Sequence, residues 1–251
     1  MSGPTADPPP TRRVLITGGT GSLGEAMVAA FAKAGYETFF QYHRRADIAE
    51  RLRADTASTA LRIDFRGPFD LEPTDFDVVV NNAGVNESDE LTHQVDPLAW
   101  DTMLRINVTV PFLISRAVLP GMVRRGWGRI INIGSIYSLR AAANRAPYVA
   151  SKHALSGLTK TIAKEYAAHG ITCNEICPSA VDSQMIHRLA RERAAARGGT
   201  VEDVLAQYRS MGPAGRLGTA EEVAATALYL ADRDAGFING VSIPVDGGLT
   251  A

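Results

Sequence analysis

The chain has 251 residues, 45% of them hydrophobic, which is ample material for one α/β domain, since open α/β folds of this length commonly keep a single core. Its formal net charge of −1 provides no broad basic field, which argues against nucleic acid and membranes as partners and for a small molecule or cofactor. Cys173 and Cys177 are the only cysteines; with no signal peptide ahead of them they imply a reducing, cytoplasmic setting and a role in packing.

Taken in chain order, residues 1–11, with Pro8, Pro9 and Pro10 in a row, are expected to be a disordered tail, and the domain to run over 12–251. Short β-branched runs predict strands at 14–16, 38–40, 61–63, 78–80, 130–133, 171–176 and 241–243. Helical periods fall between them at 23–34, 108–125, 148–169 and 220–231, and Gly35 and Gly170 stop two of these. The alternation predicts a Rossmann-type, doubly wound parallel sheet with helices on both faces, because parallel strands need crossover connections and right-handed ones dominate. Pro68 and Pro73 are expected to reduce the connection between 64 and 81 to a turn or two of helix. Residues 183–215, rich in Arg and Ala around Gly198 and Gly199, carry two short helical patterns and are expected to form a lid over a site. The longest apolar runs look too short to cross a bilayer.

The first chemical signal follows the first strand. Gly18, Gly19, Thr20, Gly21, Ser22, Leu23 and Gly24 lead directly into a helix, which is where a doubly wound fold binds phosphates on backbone N–H groups. An ordinary tight turn is the alternative, but four glycines in this context favour a dinucleotide. Glu25 and Ala26 follow the last glycine, where a nucleotide-hydrolysing loop would need Lys and then Ser or Thr, so that chemistry is excluded. At the end of the second strand stands Gln41-Tyr42-His43-Arg44-Arg45. With no acid there to accept from a ribose 2′-hydroxyl, and with Arg44 and Arg45 able to grip a 2′-phosphate, NADP(H) is favoured and NAD(H) is the alternative. Asp64 could accept from an adenine amino group or cap the next loop. On the helix that opens at Tyr148, Lys152 lies four residues on and therefore on the same face. A neighbouring ammonium favours phenolate, so Lys152 is expected to bring Tyr148 toward working pH as a general acid and base. No metal is implied.

Together these features resemble the short-chain dehydrogenase/reductase family from Arg13 onward. The resemblance rests on the glycine loop, on Asn81-Asn82-Ala83-Gly84 after the fourth strand, on Asn107 opening a long helix, on Ser135 after the fifth strand, on Tyr148 with Lys152, and on Pro178 after the sixth. It implies that Ser135 holds the substrate oxygen, Tyr148 passes it a proton, Lys152 holds the nicotinamide ribose, and Asn107 supports a water chain through Lys152. It further implies that Asn82, Ala83 and Gly84 line the cofactor, and that Pro178, Ser179, Val181 and Ser183 bind the carboxamide. Locally, Ser135 could instead cap a turn, Asn107 could cap its helix, and Asn81 and Asn82 could bond neighbouring strands. Two positions depart from the family's usual pattern: Ser22 stands at the middle glycine of the loop, and Ser179 at the glycine after Pro178.

Substrate choice is expected to lie with Asn86, Ile136, Tyr137, Arg140, Asn144, Arg145, Ser179, Met185 and His187. The segment around Arg145 and the Gly215-Arg216-Leu217-Gly218 end of the lid are similar to 3-hydroxybutyrate dehydrogenases, which implies that Arg145 and Asn86 could hold a carboxylate. A 3-oxoacyl or natural-product ketoreductase is the broader expectation. The alternative of another class is a dinucleotide-binding scaffold or sensor without turnover. By the same resemblance the protein is expected to be a homotetramer, or a dimer, acting on a small carbonyl or alcohol.

Overall fold

A computed structural model describes residues 12–86 and 89–251; the expected tail at 1–11 lies outside the described residues. Seven strands form one parallel sheet: β1 (Arg13–Ile16), β2 (Glu37–Tyr42), β3 (Thr59–Arg62), β4 (Val78–Asn81), β5 (Gly128–Ile133), β6 (Ile171–Pro178) and β7 (Ser242–Val245). Their spatial order is β3-β2-β1-β4-β5-β6-β7, every neighbouring pair parallel. The chain winds outward in both directions from β1 and β4, so the crevice at the carboxyl ends of those two strands is the switch point where such sheets bind ligands.

Strand composition follows from burial on both faces. Every residue of β4, β5 and β6 is buried, so these strands lack the in-out alternation of a half-exposed sheet, and their polar members Asn81, Arg129, Asn132, Thr172, Asn174 and Glu175 are buried with the rest. In β1, Val14 and Ile16 enter the core under α1 (Ser22–Lys33) and α8 (Ala220–Ala231), and Leu15 enters the opposite core. Each such side chain contributes roughly 1.5–3 kcal/mol on full burial. The second core lies beneath α4 (Val110–Arg125) and α5 (Ala146–Tyr166), where Ile114, Val118 and Ile162 meet Val79, Ile130 and Cys173.

Three connections differ from the sequence expectations. Between β2 and β3 lies α2 (Ala46–Thr56), which buries Ile48, Ala49 and Leu52 and ends at Ala57 in a left-handed conformation; its polar composition hid it. Between β3 and β4 not even one helical turn forms. That crossover is extended chain, held by Phe65, Leu71 and Phe76 in the core.

The helix expected from 108 begins much earlier. α3 (Pro97–Leu104) is capped by the Asp96 side chain, which accepts from the Leu98 N–H at 3.0 Å, and it runs through a π turn at Arg105–Thr109 into α4. The resulting continuous 29-residue helix is long and apolar enough to cross a membrane by length and composition alone, contrary to the expectation that no run would be. More than half of its most apolar stretch is buried, against β5 and α5, so packing between sheet and helix accounts for that apolarity. The lid region forms α6 (Gln184–Arg197) and α7 (Val201–Ser210).

Candidate active site

At the carboxyl ends of β1, β2, β4, β5 and β6 lies one continuous cleft of about 750 Å³, roofed by α6 and α7. Its floor begins with the glycine loop. Gly18 has φ +66°, which only glycine adopts without strain. A Cβ on Gly24 would lie 2.2 Å from the Gly18 carbonyl oxygen, so the first turn of α1 can approach the loop only without a side chain there. The loop is pinned from both flanks. Gln41 Oε1 accepts from the Gly18 N–H at 2.9 Å while its amide donates to the Ile63 carbonyl at 2.5 Å. Thr17 Oγ1 accepts from the N–H groups of Asn82 and Ala83, both at 2.9 Å, and the Asn82 amide donates to the Thr17 carbonyl at 2.8 Å. Thr20, Gly21, Ser22, Leu23, Ala83 and Gly84 line the cleft beside it.

The tip of β2 divides its labour. Gln41 is wholly engaged in structure. Arg45 donates to the Thr20 carbonyl at 3.0 Å and to Gln184 Oε1 at 2.6 Å, bracing the glycine loop against the lid. His43 pairs with Asp64 at 3.3 Å, and Asp64, which lines the cleft, caps the next loop, its Oδ1 accepting from the Arg66 N–H at 3.0 Å. Arg44 is exposed at the cleft and its guanidinium has no hydrogen bond or ion pair among the described residues, so of the two arginines it is the one with uncommitted donors.

The catalytic end is assembled by three elements. Ser135, buried after β5, has its Oγ accepting from the Tyr137 N–H at 3.2 Å, so it does cap a turn, yet it still lines the cleft. Lys152 is buried and donates from Nζ to the Ile133 carbonyl at 2.8 Å, with its ammonium 5.5 Å from the centre of the Tyr148 ring. Asn107 does not cap a helix. It lies within the π turn, where its amide donates to the Val85 carbonyl at 3.0 Å and to Ser151 Oγ at 3.0 Å, and its Oδ1 accepts from the Val85 N–H at 2.9 Å. Such turns push a residue out of helical register, and this one carries Asn107 toward Gly84 and Lys152. Asn81 donates to Asn132 Oδ1 at 2.8 Å, binding β4 to β5.

The electrostatics correct one expectation. Tyr148 is pushed up to about 12, chiefly by burial, while its hydrogen bond with Ser135 pulls the other way. The ring is only half-buried, so cleft water works against that rise. The Lys152 ammonium lies over the ring and the net shift of the phenol is upward, so Tyr148 keeps its proton at neutral pH. Burial lowers Lys152 to about 8, with the negative charge of Glu175 opposing that fall.

Beyond Tyr148, the residues Asn86, Ile136, Tyr137, Arg145, Ser179 and Met185 face the same cleft, with Tyr137 edge-on to Tyr148 at 6.1 Å between ring centres. His187 does not. Its ring turns to Asp182 at 2.7 Å, and Arg140 and Asn144 also lie outside the lining. Pro178, Ser179, Val181 and Ser183 run along the cleft's edge, but the Ser183 hydroxyl caps α6, accepting from the Ile186 N–H at 3.3 Å. Arg145 is buried. It donates to Asn86 Oδ1 at 3.1 Å and pairs with Asp89 at 3.6 Å, and the lid residue Arg193 reaches the same Asp89 oxygen at 3.2 Å. Sequence reasoning missed Asp89, Gln184, Leu189, Arg193, Tyr208 and Met211. All but Asp89 belong to the lid, and their partners lie far off in sequence.

A family model described as enoyl-(acyl carrier protein) reductase, which is a short-chain dehydrogenase/reductase model, matches residues 18–250. The chain belongs to the short-chain dehydrogenase/reductase family. Within it, the chain is 34% identical to a D-beta-hydroxybutyrate dehydrogenase of Rhizobium meliloti, covering 96% of this chain and 99% of that relative. It is also 34% identical to an acetoacetyl-CoA reductase of Shinella zoogloeoides, over 95% and 98%. A solved structure of a putative 2-deoxy-D-gluconate 3-dehydrogenase from Agrobacterium tumefaciens, with bound NADP, superimposes with a TM-score of 0.83 at 31% identity, covering 95% of this chain and 96% of that one. Against this family, the serine at the middle glycine acquires a local reason: Ser22 Oγ accepts the Gln184 N–H at 3.1 Å, joining the glycine loop to the first residue of α6.

Proposed function

We propose that the protein interconverts a ketone and a secondary alcohol using NADP(H), with Tyr148 as proton donor and acceptor. The observation that carries this is a single cleft with Ser135, Tyr148 and Lys152 at one end and the glycine loop with Arg44 at the other. The glycine cradle fits a pyrophosphate, since a Cβ at Gly24 would close it, and the uncommitted guanidinium of Arg44 fits a 2′-phosphate. NADP bound to a relative of the same fold supports that choice. When bound, the nicotinamide supplies or accepts hydride at the carbonyl carbon.

The protein's own residues do the rest. Ser135 and Tyr148 offer hydroxyls to the substrate oxygen, so charge that develops there meets donors already in place. Tyr148, which keeps its proton to about 12, then passes it to the forming alkoxide. Lys152 remains as a fixed cation under the ring and holds the ribose. α6 and α7 exclude water, with Leu189, Met185 and Met211 giving the substrate an apolar wall.

That wall favours a 3-oxoacyl or natural-product ketone, in keeping with the acetoacetyl-CoA reductase relative. A second reading, a 3-hydroxy acid held by Arg145, is favoured by the hydroxybutyrate dehydrogenase relative. It stands second because Asp89 and Asn86 already engage that guanidinium. The free thiols of Cys173 and Cys177 support a cytoplasmic setting. Exposed Phe112 on α4, and Phe237 ahead of edge strand β7, support a homotetramer joined at these faces.

The test is NADPH and NADH oxidation with a panel of β-keto esters, β-keto acids and cyclic ketones, alongside Tyr148→Phe. We expect NADPH-linked turnover that drops by about a hundredfold to ten-thousandfold in the variant. Turnover unaffected by the substitution would remove Tyr148 from the mechanism.

A further inference from the structure

β6 is buried along its whole length, yet it carries a carboxylate at its centre: Glu175 is 0% exposed. Three hydroxyls from three different elements converge on it. Ser138 Oγ, in the turn after Ser135, donates to Oε1 at 2.7 Å; Ser156 Oγ, on α5 one turn beyond Lys152, donates to Oε2 at 2.5 Å; and Ser242 Oγ, the cross-strand partner on β7, donates to Oε2 at 2.7 Å. Ser138 Oγ already accepts the Ser135 N–H at 3.2 Å, so its single proton is committed to Glu175. Room for the carboxylate is made by Gly134, immediately before Ser135, where a Cβ would come within 2.2 Å of Oε1.

A buried charge is costly unless it is paired and hydrogen-bonded. Among the titratable groups packed against Glu175, Cys173 and Cys177 stay neutral thiols, pushed up by burial, Cys177 to about 12. Lys152, on α5, carries the opposite charge. Its Nζ is hydrogen-bonded to Ile133, two residues before Ser135, on the strand beside β6.

We propose that Glu175 is a positioning residue for the reaction: the buried counter-charge of Lys152 and, through Ser138, the strut behind Ser135. The device joins the two halves of the catalytic end. One Glu175 oxygen fixes the turn that presents Ser135. The charge as a whole stabilises the ammonium that low-dielectric surroundings would otherwise strip of its proton. Three donors on one carboxylate are the satisfied network that a buried anion requires.

This rests on Lys152 being the lysine of the proposed reaction, but the deciding experiment uses neither cofactor nor substrate. Protein labelled with 13C at lysine Cε is titrated by NMR, with Lys33, Lys160 and Lys164 as internal references and Lys152→Arg for assignment. In Glu175→Gln, an isostere lacking the charge, the Lys152 midpoint should fall by about one pH unit or more from its wild-type value. A merely structural role would leave it in place, and an unmoved midpoint in a folded variant overturns the proposal. Ser138→Ala should lower kcat several-fold through Ser135 with KM little changed, and leave the Lys152 titration where it is. Should Glu175→Gln not fold, 13Cδ-glutamate spectra of the wild type decide. All glutamates at carboxylate positions at about pH 7 support the charge, and a resonance at the carboxylic-acid position overturns it. Absence of turnover in the wild type, by contrast, would count against the proposed reaction and not against this network.

Discussion

The two walls of the cleft are built by different means. The sheet-side wall is fixed by backbone and short side chains at adjoining strand tips: Gly18 and Gly24 in close approach, Thr17, Gln41 and Asn82 spanning neighbouring loops. The lid-side wall is fastened by a few side chains across long stretches of sequence, Ser22 and Arg45 to Gln184 and Asp89 to Arg193. Contacts of the first kind cannot open without unfolding a strand end. Those of the second are exposed polar pairs of modest net worth, each about 1 kcal/mol or less, and can part while the sheet stays intact. The cofactor's place is thereby built into the sheet, while the substrate's side of the cleft rests on the weaker pairs.

The contrast can be broken most severely at Gly24. Gly24→Ala places a methyl against the Gly18 carbonyl, and we expect loss of dinucleotide binding together with about 1–3 kcal/mol of stability, read by calorimetry and thermal unfolding. An unchanged Kd would show that the fixed wall is not rigid. Titration sharpens the picture next. With Tyr148 held near 12 and Lys152 near 8, ketone reduction, which uses the phenol, should be flat to about pH 8 and fall as Lys152 loses its proton. Alcohol oxidation, which uses the phenolate, should climb by up to about tenfold per pH unit from about pH 7. Matching profiles in the two directions would remove Tyr148 as the titrating group. Arg44→Ala should raise the Kd for NADPH about ten- to hundredfold and leave that for NADH nearly unchanged. Equal weakening of both would place the 2′-phosphate elsewhere. The smallest effect is expected at the lid: Ser22→Gly removes one acceptor and should change KM or kcat by about two- to fivefold, with faster hydrogen exchange in α6.

The same division explains what was legible in the sequence. The parallel sheet, the glycine loop and the catalytic pair could be read because each is a local pattern: β-branched runs, glycine at a strand-to-helix turn, a Tyr and a Lys one helical turn apart. The lid could be placed but not its grip, since Asp89 and Arg193 stand 104 residues apart and nothing in either neighbourhood announces the other. α2 escaped because its surface is nearly all charged and only Ile48, Ala49 and Leu52 face inward. His187 was misplaced because one residue's difference on a helix decides between cleft and solvent. Glu175 did leave a trace, the one acid in a buried strand, but its partners on α5 and β7 become visible only once the strands are stacked.

The π turn at Arg105–Thr109 carries a consequence for how this protein tolerates change in length. A π turn is in effect one extra residue wound into an α-helix. Because each residue advances an α-helix by about 100°, α3 and α4 form one rod with two rotational phases, and Asn107 stands at the seam. Deleting a single residue there would restore a regular helix and leave the outer faces of α3 and α4 close to where they are, because the wide turn already absorbs the extra residue. The seam is therefore where a one-residue deletion would be absorbed by the backbone and yet turn Asn107 out of register with Val85 and Ser151.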